Sequence, residues 1–154
     1  MDPAESFASV SAPVSRPWSG RRQARLWAVG WAGWFITLCI LSSMSQPGPR
    51  IDVVGIDKVY HAVYFAVGGV FFLLAMCWKK PGDGIAHARP SWGKLTVMCC
   101  LVGAIVGGID EWHQSFTPGR HGLDVYDWLA DIFGSLLAVP CARWIYQRLH
   151  REPE

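Results

Sequence analysis

At 154 residues, 51% of them apolar and nine of them Trp, the chain is too greasy and too aromatic for an average water-soluble domain of its length. Its fourteen Lys and Arg nearly balance twelve Asp and Glu, and no basic run is interleaved with aromatics, which argues against nucleic acid as a partner. The five cysteines (Cys39, Cys77, Cys99, Cys100, Cys141) lie inside or at the edge of apolar runs, as small core hydrophobes do, and not in loops where a disulfide framework or zinc site would need them.

Residues 1–25 are rich in Ser, Pro, Ala and Arg without helical periodicity, which predicts a disordered leader ending in the basic cluster Arg16, Arg21, Arg22 and Arg25. A secretory signal is the competing reading, but its polar leader would be long and no small-x-small motif follows the apolar run. Leu26 to Ser43 is the first apolar span, just long enough at ~1.5 Å per residue to cross a ~30 Å hydrocarbon core. A loop with Pro47, Gly48 and Pro49 follows, then Asp57 at a helix start and a second span from Val59 to Trp78, ended by Lys79, Lys80, Pro81 and Gly82. After a polar connector to Lys94, Leu95 to Ile109 is the third run; extension to Gln114 gives it a full crossing. The fourth span is Val125 to Tyr146, with Pro140 expected to bend it, and residues 149–154 form a polar tail.

The expected fold class is therefore all-α, a four-transmembrane-helix bundle over 26–148. The leader, the connector and the tail carry eleven of the fourteen Lys and Arg, while Arg50, Lys58 and Arg120 fall on the opposite side. By the positive-inside rule both termini are cytoplasmic and the turn near Pro118 faces out. Trp27, Trp78, Trp92 and Trp144 are expected at the inner interface, and Trp112 and Trp128 at the outer one. Gly103 with Gly107, and Gly134 with Ala138, place small residues four apart for close helix contact.

Between the third and fourth spans the sequence IDEWHQSFTPGRHGLDVYDWLAD concentrates charge where two near-membrane-length apolar runs meet. Thr117-Pro118-Gly119-Arg120 fits a type II turn, which makes the flanking helices antiparallel neighbours. Asp124, Asp127 and Asp131 recur at i, i+3, i+7, one helical face; Asp57, His61 and Tyr64 recur at i, i+4, i+7 on the second span, with Lys58 adjacent. Glu111 and Gln114 end the third span at the same depth, so three helices supply one polar pocket. Helix capping accounts for part of this: Asp57 as an N-cap, and Asp124 with Asp127 as a capping box. It does not account for Asp131, two turns into a span, where a carboxylate costs roughly 2.5–3.5 kcal/mol without partners. His87, His113, His121 and His150 carry no partner pattern.

The blocks DKVYHAVYFAVGG (Asp57 to Gly69) and EWHQSFTPGRHGLDVYDWLADIFG (Glu111 to Gly134) resemble the paired signatures of the VanZ-like membrane proteins, a family named for a teicoplanin-resistance protein. The resemblance covers about half the chain. By position it implicates Asp57, Lys58, His61 and Tyr64, and then Glu111, Gln114, Pro118, Gly119, Arg120, Asp124, Asp127, Asp131 and Gly134; the family often carries Asn where Asp131 stands. It implies a phenotype, glycopeptide resistance in bacteria, and not a defined reaction.

Two activities fit these residues. One is an enzyme acting on an envelope lipid or cell-wall precursor at the outer leaflet, with Glu111 and Asp127 as acid and base and His61 as proton carrier. In that reading Lys58, Arg120, Tyr64, Gln114, Asp57, Asp124 and Asp131 bind the substrate. A divalent cation on Asp124, Asp127 and Glu111 is compatible with oxygen ligands. The other is a non-catalytic pocket that binds the same ligand. Proton or ion conduction ranks last, because nothing polar continues inward past Ser135.

Overall fold

The computed structural model describes residues 20–45, 53–77 and 90–149. Among them are four helices and no strand: α1 (Gly20–Ser42), α2 (Ile56–Cys77), α3 (Trp92–Gln114) and α4 (Val125–Leu149). All four are long and apolar enough to cross a membrane. Their outward faces carry Val29, Ile36, Val63, Val97, Leu101, Ile105 and Phe133, a coat that would be a liability in water but is solvated by lipid tails. The chain is an all-α integral membrane protein.

Successive helices run antiparallel. The C-terminal ends of α1 and α3 and the N-terminal ends of α2 and α4 meet at one end of the bundle, where Ser42 bonds Asp110 and Lys58 bonds Asp124. The helices α2 and α4 are consequently parallel, and they approach closely because glycine removes the side chains between them. A Cβ at Gly134 would run into the backbone carbonyl of Ala62, and one at Gly69 would stand 2.6 Å from the Cβ of Ala138. On α3, Gly103 and Gly107 make room for Ser135 and Asp131 of α4. Thus the small residues at four-residue spacing do mark helix seams.

Helices α2 and α3 each pack on all three others, α2 most extensively along α4, whereas the α1 and α4 backbones do not approach closely among the described residues. Toward the end opposite the polar residues the core is apolar, built from Leu73, Leu74, Cys77, Leu95, Cys99, Ala138 and Ala142. Helix α1 is fastened by Trp34, whose indole packs against Tyr64 and edge-on to Phe65. Its Nε1–H donates to the Tyr64 carbonyl at 2.9 Å, and the Tyr64 hydroxyl returns a bond to the Trp34 carbonyl at 3.0 Å.

Several boundaries differ from expectation. Helix α1 begins at Gly20, not Leu26, because the Arg, Gln and Ala residues before Leu26 are good helix formers; the end of the expected disordered leader is helical. Asp57 is not an N-cap. It lies within the first turn of α2, after Gly55 at φ +80°, where its charge still meets the positive helix end. Helix α3 starts at Trp92, since Leu95 N–H already reaches the Ser91 carbonyl at 3.0 Å, and it ends at Gln114 as the span length requires. Helix α4 continues through Pro140 to Leu149. Trp128 is not a free interfacial anchor, because its Nε1–H donates to the Ala104 carbonyl at 2.8 Å and pins α4 to α3. The leader up to residue 19, the Pro47–Pro49 loop with Arg50 and Asp52, Trp78 and the connector through Arg89 with His87, and the tail with His150 and Arg151 lie outside the described residues.

The α2–α4 seam gives a direct check. Gly134→Ala, whose methyl group meets backbone, is expected to lower stability in detergent by about 1–3 kcal/mol as an overpacked contact. Gly33→Ala, where nothing lies within 4 Å, should leave the melting temperature unchanged or slightly raised.

Candidate functional site

Helix α3 presents two neighbouring carboxylates to opposite sides of the bundle. Asp110 turns toward α1, where its Oδ1 accepts from Ser42 Oγ and its Oδ2 accepts from Gln114 Nε2 at 2.7 Å. Gln114 Oε1 accepts from Arg120, and Thr117 Oγ1 donates to the Ser42 carbonyl at 2.9 Å. Both oxygens of Asp110 are therefore satisfied, and this chain of bonds closes the α1–α3 side. Ser42 is not marked in the sequence, since an isolated hydroxyl carries no periodic signal, and Thr117 is marked only as the start of the type II turn. The signal that could have found the Asp110 pairing is its position four residues before Gln114, on one helical face.

Glu111 turns the other way, and the short loop after α3 is built around it. The Thr117–Arg120 turn closes with Arg120 N–H on the Thr117 carbonyl at 3.1 Å and Gly119 at φ +79°, the type II geometry read from the sequence. Gly122 then packs against the backbone of Ser115 and Glu111 so tightly that no Cβ fits, and Leu123 is held at φ +63° with its N–H on the Glu111 carbonyl at 3.2 Å. A non-glycine residue in that region costs about 1–3 kcal/mol and persists only where the surroundings enforce it. The result is that Asp124 N–H donates to Glu111 Oε2 at 2.8 Å, while Asp124 Oδ1 caps α4 through Tyr126 N–H at 2.8 Å. Asp124 is an N-cap as expected. Asp127 does not complete a capping box, because Glu111 has taken the Asp124 amide and Asp127 turns to α2.

There Lys58 is the hub. Its Nζ lies 2.7 Å from Asp57, 2.8 Å from Asp124 and 2.9 Å from Asp127, tying the starts of the two parallel helices together. One turn deeper, His61 Nδ1 is 2.9 Å from Asp131 Oδ1. Asp131 has no exposed surface, Glu111 is 3% exposed and Asp127 is 7% exposed. Three oxygens remain buried without a hydrogen bond: Glu111 Oε1, Asp127 Oδ1 and Asp131 Oδ2. Of these, Asp127 Oδ1 is the oxygen that pairs with Lys58 Nζ at 2.9 Å, so its charge is balanced. One ligand atom each from His61, Glu111 and Asp127 fall within 4.8 Å of one another, as do one each from Asp57, Asp124 and Asp127.

Of the ten site residues read from the sequence, the structure thus gathers Lys58, His61, Glu111, Asp127 and Asp131 into one cluster, with Asp57 and Asp124 on its rim. Gln114 and Arg120 join the separate Asp110 network, and Tyr64 faces Trp34 on α1. The cluster is a packed polar core under a charged rim, narrower than a water-filled basin. Beside it, an open apolar groove of about 560 Å³ runs along α2 and α4 between Val63, Val67, Phe133 and Leu137, and Lys58 stands at its polar end. Compared with family models, curated proteins and solved structures, the chain finds no match.

Two outcomes test this geometry. Glu111→Ala should speed hydrogen exchange at the Asp124 amide by about tenfold or more, the loss of a hydrogen bond to a charged acceptor, whereas Glu111→Gln should preserve protection there. Asp124 is held below the ordinary aspartate value first of all by its hydrogen bond to Lys58. A depressed folded value means that the contact stabilises the fold above the ordinary aspartate range and is lost as pH falls through the depressed one. Lys58→Met should return the Asp124 carboxyl titration, followed by NMR, upward to the ordinary range.

Proposed function

We propose that this chain is a VanZ-like envelope protein of bacteria that acts on the headgroup of an envelope lipid, or of a lipid-linked cell-wall precursor, at the outer leaflet of the cytoplasmic membrane, contributing to resistance against teicoplanin-type glycopeptides. One observation carries the reading: half-buried His61 and the buried Glu111 and Asp127 arrive from three helices and converge within 4.8 Å, with Glu111 Oε1 left without a hydrogen bond. Side chains kept only for capping would spend those oxygens on backbone amides, as Asp124 does. Buried acids and an imidazole in contact instead supply proton donors and acceptors whose environments push them apart.

A lipid is favoured as substrate because the groove along α2 and α4 leads up to Lys58, the residue that also borders the acids. A chain lying in that groove would present its headgroup to Lys58 and the trio beneath. The outward orientation follows from charge: Lys58 and Arg120 belong to the site end, while Arg22, Arg25, Lys94, Arg143 and Arg148 belong to the other, which the positive-inside rule places in the cytoplasm. Conduction finds no support, because the apolar layer of Leu73, Leu74, Cys99 and Ala138 lies beneath Ser135.

In a glycopeptide-sensitive bacterial host expressing the full chain, Glu111→Gln and Asp127→Asn are expected to abolish protection against teicoplanin while membrane levels and lipid affinity stay at the wild-type value. Loss of affinity in proportion to loss of protection would replace catalysis with binding. Full protection by both variants would refute the role of the cluster.

A further inference from the structure

Six carboxyls meet at this end of the bundle (Asp57, Asp110, Glu111, Asp124, Asp127, Asp131), and the described cations among them are Lys58, Arg120 and, when protonated, His61. Lys58 is shared by three of the acids, and Arg120 is spent on Gln114. Asp110 spends its oxygens on Ser42 and Gln114 and Asp131 faces His61, which leaves Glu111 with no cation in contact among the described residues and Asp127 with only a share of Lys58, both more than nine-tenths buried. Burying such charge without a counter-cation or a proton is costly by several kcal/mol, on the order of what a broken buried pair costs. Something positive belongs there.

The arrangement around His61 says what kind of cation. Its Nδ1 is held by Asp131, so Nε2 is the ring nitrogen left to bind, and a carboxylate behind the opposite nitrogen is the usual companion of a metal-bound imidazole, fixing its tautomer and orientation. Glu111 spends Oε2 on the Asp124 amide, which leaves Oε1 buried and unpartnered. Ligands about 2.0–2.2 Å from one ion stand ~3.3–3.6 Å apart in a tetrahedral site, so the three ligand atoms, which lie within 4.8 Å of one another, need to draw together by at most about 1.5 Å to close on an ion. Gly107 completes the support: a Cβ there would lie 2.5 Å from Asp131 Oδ2, so only glycine lets Asp131 sit behind His61.

We infer that His61, Glu111 and Asp127 form a binding site for a divalent transition-metal ion, Zn²⁺ or Mn²⁺, with Asp131 as the positioning residue behind His61. The ligand set of one imidazole nitrogen and two carboxylates suits these ions and leaves coordination positions open for water or a phosphate oxygen. The second group of acids, Asp57, Asp124 and Asp127, already holds the Lys58 ammonium at its centre and is not the site. This inference rests on the proposed reading for the identity of the reacting trio, and it specifies how the trio would work: an ion there makes its bound water acidic near neutral pH and polarises a headgroup oxygen.

The test uses the full chain in lipid nanodiscs, stripped with a chelator, exchanged against ZnCl₂ or MnCl₂ and measured by elemental mass spectrometry, with affinity from competition with a chromophoric chelator. One ion per chain is expected. Affinity should fall at least a hundredfold in His61→Leu and Glu111→Gln, and about 10–100-fold in Asp131→Asn, the effect of losing a partner behind a ligand. Asp57→Asn should bind as wild type does. The ion should also raise the melting temperature of the wild type and not of Glu111→Gln, a variant that keeps the Asp124 bond and so its fold. Substoichiometric binding, wild-type affinity in His61→Leu and Glu111→Gln, or loss of the ion in Asp57→Asn would overturn the site. Protection that survives complete metal removal would sink the metal and spare the lipid reading; tight binding at the trio with full protection by Glu111→Gln would do the reverse.

Discussion

A carboxylate inside a membrane helix must be answered by other helices, and Asp131 makes that demand with no exposed surface at all. It lies seven residues past Asp124, about 10 Å along α4 at ~1.5 Å per residue, beyond the reach of the helix end. Its partner is His61 of α2, and the two can meet only because glycine at 134 lets α2 and α4 lie almost backbone to backbone and glycine at 107 withdraws α3 from the carboxylate. Much of the bundle follows from that contact. The same parallel pairing sets the two helix starts side by side, so that Lys58 bridges them and both first turns offer their positive ends to Asp57 and Asp127.

The adjacent acids of α3 are partnered in opposite ways. Asp110 and Glu111 are neighbours in sequence and similarly buried, yet Asp110 has both oxygens bonded, while Glu111 anchors the 115–124 loop with one and leaves the other bare. A buried oxygen without a bond costs about 1–3 kcal/mol. Among the described residues the buried side-chain oxygens without a hydrogen bond all belong to this cluster, and one of them, Asp127 Oδ1, is offset by the Lys58 charge.

Much of this was legible in the sequence because it follows periodicity and length. The four spans, the type II turn at Pro118 and Gly119, the small-residue seams and the shared depth of Asp57–His61, Glu111 and Asp124–Asp131 all came from spacing. What was not legible depends on rotation about a helix axis and on partners far along the chain. Tyr64 shares a helical stripe with His61, but a slight rotation hands it to Trp34 of α1; Gln114 goes to Asp110, and Arg120 to Gln114, because Ser42, sixty-eight residues from Asp110, completes that side. Likewise the Asp124–Asp127 spacing spelled a capping box, and only the reach of Glu111 across the loop set Asp127 free for Lys58 and the cluster.

On the proposed reading the Glu111 carboxylate serves the reacting cluster and does not hold the bundle together. The measurement that bears on it most directly is the unfolding free energy of metal-stripped Glu111→Gln against wild type in bilayers, because glutamine preserves the acceptor for the Asp124 amide and removes only the charge. Glu111→Gln should then equal wild type in stability within about 1 kcal/mol, or exceed it, as replacing a poorly compensated buried charge gives. A loss of about 3 kcal/mol or more would mean that the carboxylate is a structural strut, and would contradict that reading.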